Sequence, residues 1–160
     1  MESPFNYITE QYDAVLESRQ LFLEYCKTIS QPDLLIENNS FGRGGSIRNL
    51  LVHVANTYEF WIAKNALHRN ISFTDYDSKQ NIDDIINLFK SVNVFMKDFI
   101  ALFQLPGMQQ IEYEINGKRD SVNQLRLFTH VITHEFHHKG QILSISRHLG
   151  YIPVDTAIMR

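Results

Sequence analysis

Apolar residues recur at helical spacing along four long stretches of the chain. Phe5, Ile8, Tyr12, Val15, Leu16, Phe22, Leu23, Cys26 and Ile29 mark the first, which runs to about Ser30. Ser3 suits its N-cap and Pro4 its first helical position. Ser46 caps a second stretch carrying Leu50, Leu51, Val54, Tyr58, Trp61 and Ile62, predicted to reach about His68. Asn81 caps a third, with Asp83 and Asp84 favourably placed in its first turn. Its stripe is Ile82, Ile85, Ile86, Phe89, Val92, Met96, Phe99, Ile100 and Phe103, and Pro106-Gly107 ends it. The last stretch carries Leu127, Phe128, Val131, Ile132, Ile142, Leu143 and Ile145. Ser121-Val122-Asn123-Gln124 fits a capping box at its start, and Gly150 supplies the residue beyond its end near Leu149.

The period changes to two in Ile111-Glu112-Tyr113-Glu114-Ile115, and Asn116-Gly117 then offers a two-residue hairpin turn. Two strands alone are marginal, so the hairpin is expected to pack on the helices. Glu112 and Glu114 share its wet face. Gln31 to Gly45 reads as a loop with Pro32 and a Gly42-Arg43-Gly44-Gly45 run. No strand precedes those glycines and no Walker lysine follows, so they read as a connection and not a phosphate cradle. Arg69 to Gln80 is a polar and aromatic connection, and Pro153 keeps the tail from Tyr151 to Arg160 out of a helix. No repeat or linker is visible. The pattern predicts an all-α protein: a four-helix bundle with a small β-hairpin before the last helix, as one domain over residues 1–160.

Composition narrows the function classes. The 160 residues are 44% hydrophobic and 21% charged, with formal net charge -3, which is not the basic balance of a nucleic-acid binder. A single cysteine, Cys26, rules out an intramolecular disulfide and a Cys-rich zinc site. It lies on an apolar stripe and reads as a buried small hydrophobe. Met1 to Glu10 has no basic n-region or apolar h-region, and no apolar run reaches membrane-spanning length. A soluble, cytoplasmic protein is expected, with no membrane partner.

Candidate chemistry gathers in the last helix. Residues four apart on a helix share a face, so His130, His134 and His138 form one stripe, which Gln141 continues. Two imidazoles at i and i+4 are spaced to chelate one metal ion. His134-Glu135-Phe136-His137-His138 also spells H-E-x-x-H. His137 points about 60° away from His134, towards a flank. His53 in the second stretch completes a three-histidine set if its helix faces this one. His68 lies where the dipole end of its helix favours a cation. Three neutral imidazoles leave an open coordination position, as in catalytic zinc sites, able to activate a water or take a substrate thiolate. Tyr58, Trp61 and Phe136 are candidate pocket residues.

The run His130-Val131-Ile132-Thr133-His134-Glu135-Phe136-His137-His138-Lys139-Gly140-Gln141-Ile142, followed by Arg147-His148-Leu149-Gly150, Pro153 and Asp155, resembles the C-terminal signature of the DinB/YfiT-like superfamily. Leu50-Leu51-Val52-His53-Val54-Ala55, with Phe60-Trp61 after it, resembles that family's second-helix motif. Lys139 stands where Arg is common, which keeps the charge. The resemblance implies a four-helix bundle and a metal held by His53, His134 and His138. It implies a catalytic-site role for Gln141, either behind the ligands or facing substrate, and a homodimer. Some relatives transfer low-molecular-weight thiols such as bacillithiol, or use mycothiol in an isomerase.

Three functions compete. The first is a metal-dependent enzyme, a thiol S-transferase or hydrolase acting on a small molecule, with His53, His134 and His138 as ligands and Gln141 as orienting group. Zinc or nickel leads the choice of divalent ion, with iron, manganese or cobalt also suited to imidazole. The second is a zinc peptidase with Glu135 as base. It needs a third ligand, and Asp155 is the only carboxylate side chain after His138. The third is a non-catalytic bundle that binds metal or dimerises.

Overall fold

A computed structural model describes residues 4–37 and 45–160. Helix α1 spans Pro4–Cys26, α2 Gln31–Leu35, α3 Ile47–Tyr58, α4 Ile82–Ala101 and α5 Gln124–His148, with strands β1 (Gln110–Ile115) and β2 (Lys118–Asn123) just before α5. The protein is thus mostly helical, with one small antiparallel sheet before the last helix. Helix α1 packs on α4, and α3 packs on both α4 and α5. The apolar stripes face one another as expected. Tyr58, Phe99, Phe128, Leu50, Met96 and Ile142 are among the fully buried side chains of one continuous core. Cys26 is fully buried, and burial pushes its thiol up to about 12.

Local sequence signals set several boundaries. The Ser46 hydroxyl accepts from the Asn49 amide, and the Asn81 side chain accepts from the Asp84 amide. Asn116 and Gly117 have φ of 52° and 74°, the left-handed pair that a type I′ turn requires. The register that follows pairs Ile111 with Val122, Ile111 buried against the core. The expected Ser3 cap and the Gly42–Gly44 run lie outside the described residues.

Four expectations need correction. The Gln31–Gly45 loop opens with α2, capped by Ser30 and carrying Pro32 in its first turn, and Leu34 is buried beneath it. Five residues are too few to show a period. Ser121 does not cap α5. It pairs with Glu112 inside β2, and Asn123 caps the helix by accepting from the Arg126 amide. The hairpin ladder runs two residues past Ser121, and the cap falls where the ladder ends. The second helical stretch is not uniform: from Glu59 to Ala66 it becomes a π-helix, where the Asn65 side chain donates to the Phe60 carbonyl at 2.6 Å. His68 does not close a regular helix end. It takes φ of 52°, in the left-handed region, and turns the chain out.

Polar residues tie the helices together at the centre. Arg19 of α1 is 3% exposed and its five N–H groups all find acceptors. Nε and Nη2 grip the Glu135 carboxylate of α5 at 2.8 and 2.7 Å. Nη2 also donates to the Tyr58 hydroxyl of α3, and Nη1 donates to Tyr12 of α1 and Asn93 of α4. Tyr58 in turn donates to Glu135 at 2.6 Å. Beside this network Lys139 donates to the Ser18 hydroxyl at 2.6 Å, and Ser18 donates to the Thr156 carbonyl, anchoring the tail. Burial pushes the Lys139 ammonium down to about 8.

Removing one side of the central pair should be severe. Glu135→Ala leaves a buried guanidinium without its counterion and is expected to lower unfolding stability by about 3–5 kcal/mol, read by urea denaturation. Burial alone would raise the Glu135 carboxyl, but Arg19, Lys139 and the Tyr58 hydroxyl outweigh it and hold it below the usual range. Its contribution is therefore complete above the unfolded value of about 4.3 and lost as pH falls through the lower folded value. A plot of unfolding midpoint against pH should lose part of its acid slope in Glu135→Gln.

Candidate metal centre

Helix α5 presents two faces. Glu135 and Lys139 point into the core, while His134 and His138 point towards α3. On α3, His53 lies one turn and a half before Tyr58, and its ring meets those of His134 and His138 at centroid distances of 4.9 and 4.7 Å. One nitrogen from each of His53, His134 and His138 lies within 4.8 Å of the others, so the three could hold one metal ion. The Nε2 atoms of His134 and His138 stand 3.1 Å apart. The two lone pairs cannot face each other bare at that distance, so a proton or a cation must lie between them.

Hydrogen bonding decides how His138 presents itself. Its Nδ1 lies 2.7 Å from the Gln141 Oε1. The amide oxygen can only accept, so Nδ1 carries the proton and Nε2 offers its lone pair. This is the usual arrangement behind an imidazole ligand. His134 Nδ1 is buried and has no hydrogen-bond partner among the described residues. Burial, and then repulsion from His138, His53, His130 and His137, pushes the His134 imidazolium down to about 3. At neutral pH it is therefore unprotonated, the form a metal ion takes. The donor set fits a divalent ion of the borderline kind: neutral nitrogen ligands, no thiolate and no carboxylate.

His53 and His134, with His130, form part of the wall of an open cleft of about 560 Å³; His138 lies behind them. Thr57 and Asn56 of α3, Phe60 and Trp61 of the π segment, and Phe73 and Tyr76 of the following connection line it. The connection is held in place by paired bonds between Asn56 and Thr74 and by Arg48 donating to the Tyr76 carbonyl. Trp61 lines the cleft as its sequence position suggested. Tyr58 does not; it is fully buried, its hydroxyl engaged by Arg19 and Glu135. Phe136 is half-buried beneath the Lys139 ammonium, 3.9 Å from the ring centroid. His130 stacks edgewise on Trp61 at 5.4 Å and stands beside, not within, the three-nitrogen group. His137 is exposed.

The H-E-x-x-H spelling does not form a peptidase centre. Glu135 is 3% exposed and bound on both oxygens, so it faces away from the histidines. Asp155 is exposed and accepts from the Ala157 amide. The third nitrogen comes from α3, not from downstream of His138. A family model for the DinB family matches residues 1–160. The chain belongs to the DinB family. A comparison with curated proteins gives no significant match. Within this DinB chain the sequence missed Arg19, which grips Glu135, and Asn93, which accepts from Arg19. Their signal was present: Arg19 sits at helical spacing between Val15 and Leu23 on the apolar stripe.

Two measurements follow from this geometry. Gln141→Leu should lower divalent-metal affinity about 10–100-fold, read by competition with a chelating dye, with little change in metal-free stability. The His134 shift also has a sign. Its folded pKa lies below the unfolded value, so between about pH 6.5 and 3 the unfolded chain binds the extra proton. Stability of the metal-free protein should fall as pH drops through that window, and His134→Gln should flatten the decline.

Proposed function

We propose that this DinB-family chain is a metal-dependent enzyme in which His53, His134 and His138 hold one divalent ion, zinc or nickel in the first place. The observation that carries the reading is convergence. Nitrogens from two helices meet within 4.8 Å, one of them oriented by Gln141, at the wall of an open cleft. A divalent ion held by three imidazoles supplies a Lewis acid that favours the deprotonated form of a water or thiol. Thiol S-transfer or hydrolysis on a small molecule is therefore the reaction class.

The chain's own residues have distinct tasks in this reading. Gln141 fixes the His138 tautomer and is a positioning residue, as it bonds the ligand and not the substrate side. His134, held as the neutral imidazole, carries no cationic charge to repel an ion at neutral pH. Phe60, Trp61 and Phe73 give the cleft apolar walls beside the histidines. We read the four long helices as the expected four-helix bundle, forming one domain, and infer a cytoplasmic homodimer. Among the described residues no helix is long and apolar enough to cross a membrane.

Elemental analysis tests the reading directly. Untagged protein purified without a nickel column should carry stoichiometric metal, and His53→Ala should lose it. The loaded protein should then show thiol transfer or hydrolysis that chelation abolishes. Metal retained in His53→Ala would remove α3 from the site. Metal without turnover would leave a non-catalytic metal-binding bundle, and no metal after reconstitution would sink the proposal.

A further inference from the structure

The cleft beside the histidines has a selectivity that its walls make legible. Among the described residues, none that lines it is Asp, Glu, Lys or Arg. We propose that it binds an uncharged aromatic portion of the substrate and discriminates against anionic molecules, small acidic thiols included. The proposal rests on the metal-site reading for what happens at the histidines, but the selectivity itself needs no ion.

Two polar side chains of the wall are already engaged with backbone. Asn56 gives its amide nitrogen to the Thr74 carbonyl and its oxygen to the Thr74 amide, and the Thr57 hydroxyl donates to the His53 carbonyl. Two charged residues of the π segment are engaged too. Glu59 is buried and accepts from the Thr74 amide and hydroxyl. Lys64 is exposed and places its ammonium over the Phe60 and Phe73 rings, at 5.6 and 5.7 Å. Beside the histidines and Tyr76, aromatic surfaces face the cleft. Phe60 meets Trp61 edge-on at 5.0 Å and Phe73 at 6.2 Å, and Phe73 is 46% exposed.

A flat uncharged body can cover these rings and remove apolar surface from water. A carboxylate entering the same space would lose hydration, and among the described residues the lining offers neutral imidazoles but no guanidinium or ammonium to replace it. The volume of about 560 Å³ lies in the range of small-molecule sites. The π-helix contributes to this shape. It inserts an extra residue per hydrogen-bonded ring, and the segment it forms carries both Phe60 and Trp61.

The test uses the chain's single tryptophan, Trp61, which lines the cleft. Two probes share one body and differ in charge: 4-nitrobenzyl alcohol and 4-nitrobenzoate. Both nitro groups quench indole fluorescence. Titrations use full-length protein freed of metal, because a carboxylate would itself ligate an ion. The alcohol should quench Trp61 saturably, and the benzoate should bind at least about tenfold more weakly. Phe73→Ala, an exposed position whose folding circular dichroism can confirm, should weaken the alcohol about five- to tenfold. Equal or tighter benzoate binding, absence of saturable quenching by the alcohol, or an unchanged alcohol affinity in Phe73→Ala would each overturn the proposal. Zinc uptake is measured on the same batch. Zinc bound without alcohol binding defeats the cleft and spares the metal site; alcohol bound without zinc uptake does the reverse.

Discussion

A guanidinium and a carboxylate removed from water each lose several kcal/mol of solvation, and in this protein four helices are arranged so that neither is left short. Arg19 needs five acceptors in a fixed plane. Glu135 supplies two, and Tyr12, Tyr58 and Asn93 supply the others. Those residues come from α1, α3, α4 and α5. Apolar stripes tolerate sliding, since one Leu or Ile contact can replace another. A bidentate pair does not tolerate it. Displacing α5 by a turn against α1 would bury one charge and strand the other. The central pair therefore adds little to net stability over an apolar core of the same volume, yet it leaves few alternative registers open.

That register is also the register of the histidines. Tyr58 lies on α3 with His53, and Glu135 is the immediate neighbour of His134 on α5. The 2.6 Å bond from Tyr58 to Glu135 joins the same two helices that the imidazoles must bridge. A fixed relation between α3 and α5 on the core side leaves little freedom on the cleft side, where nitrogens have to meet within a few ångströms. The polar core thus supports the two helices that carry the three candidate ligand histidines. Gln141 performs the same task at closer range, for a single ring.

The sequence was most legible where a side chain meets backbone nearby. Ser46 and Asn81 cap helices three residues away, and Asn116-Gly117 sets a turn by its own dihedrals. The apolar stripes were legible for a related reason, as period reports one face of one element. What failed needed more than local information. Residues Glu59 to Ala66 carry an apolar pattern that suits an α-helix as well as the π-helix they form. Ser121 fits a cap box, but the ladder set by Asn116-Gly117 claims it first. Among the candidate ligands, spacing alone placed His134 and His138 together on α5. His53 came with them only because helix packing turned α3 towards α5, which no single stretch of sequence encodes.

Glu135 shows how far a short motif can be taken. In H-E-x-x-H, the two histidines share a face because they are four apart, and the glutamate lies about 100° round the axis. Whether that direction is cleft or core depends on where the helix sits in the protein. In α5 it is core, flanked by Val131, Ile132 and Ile142 at helical spacing. An acid among such neighbours has two outcomes: it is neutral, or it has a buried cation. Arg19, likewise set among Val15, Phe22 and Leu23, is that cation. Two charges each out of place on an apolar stripe explain one another. The carboxylate that a peptidase would use as a base is thereby committed to holding the helices.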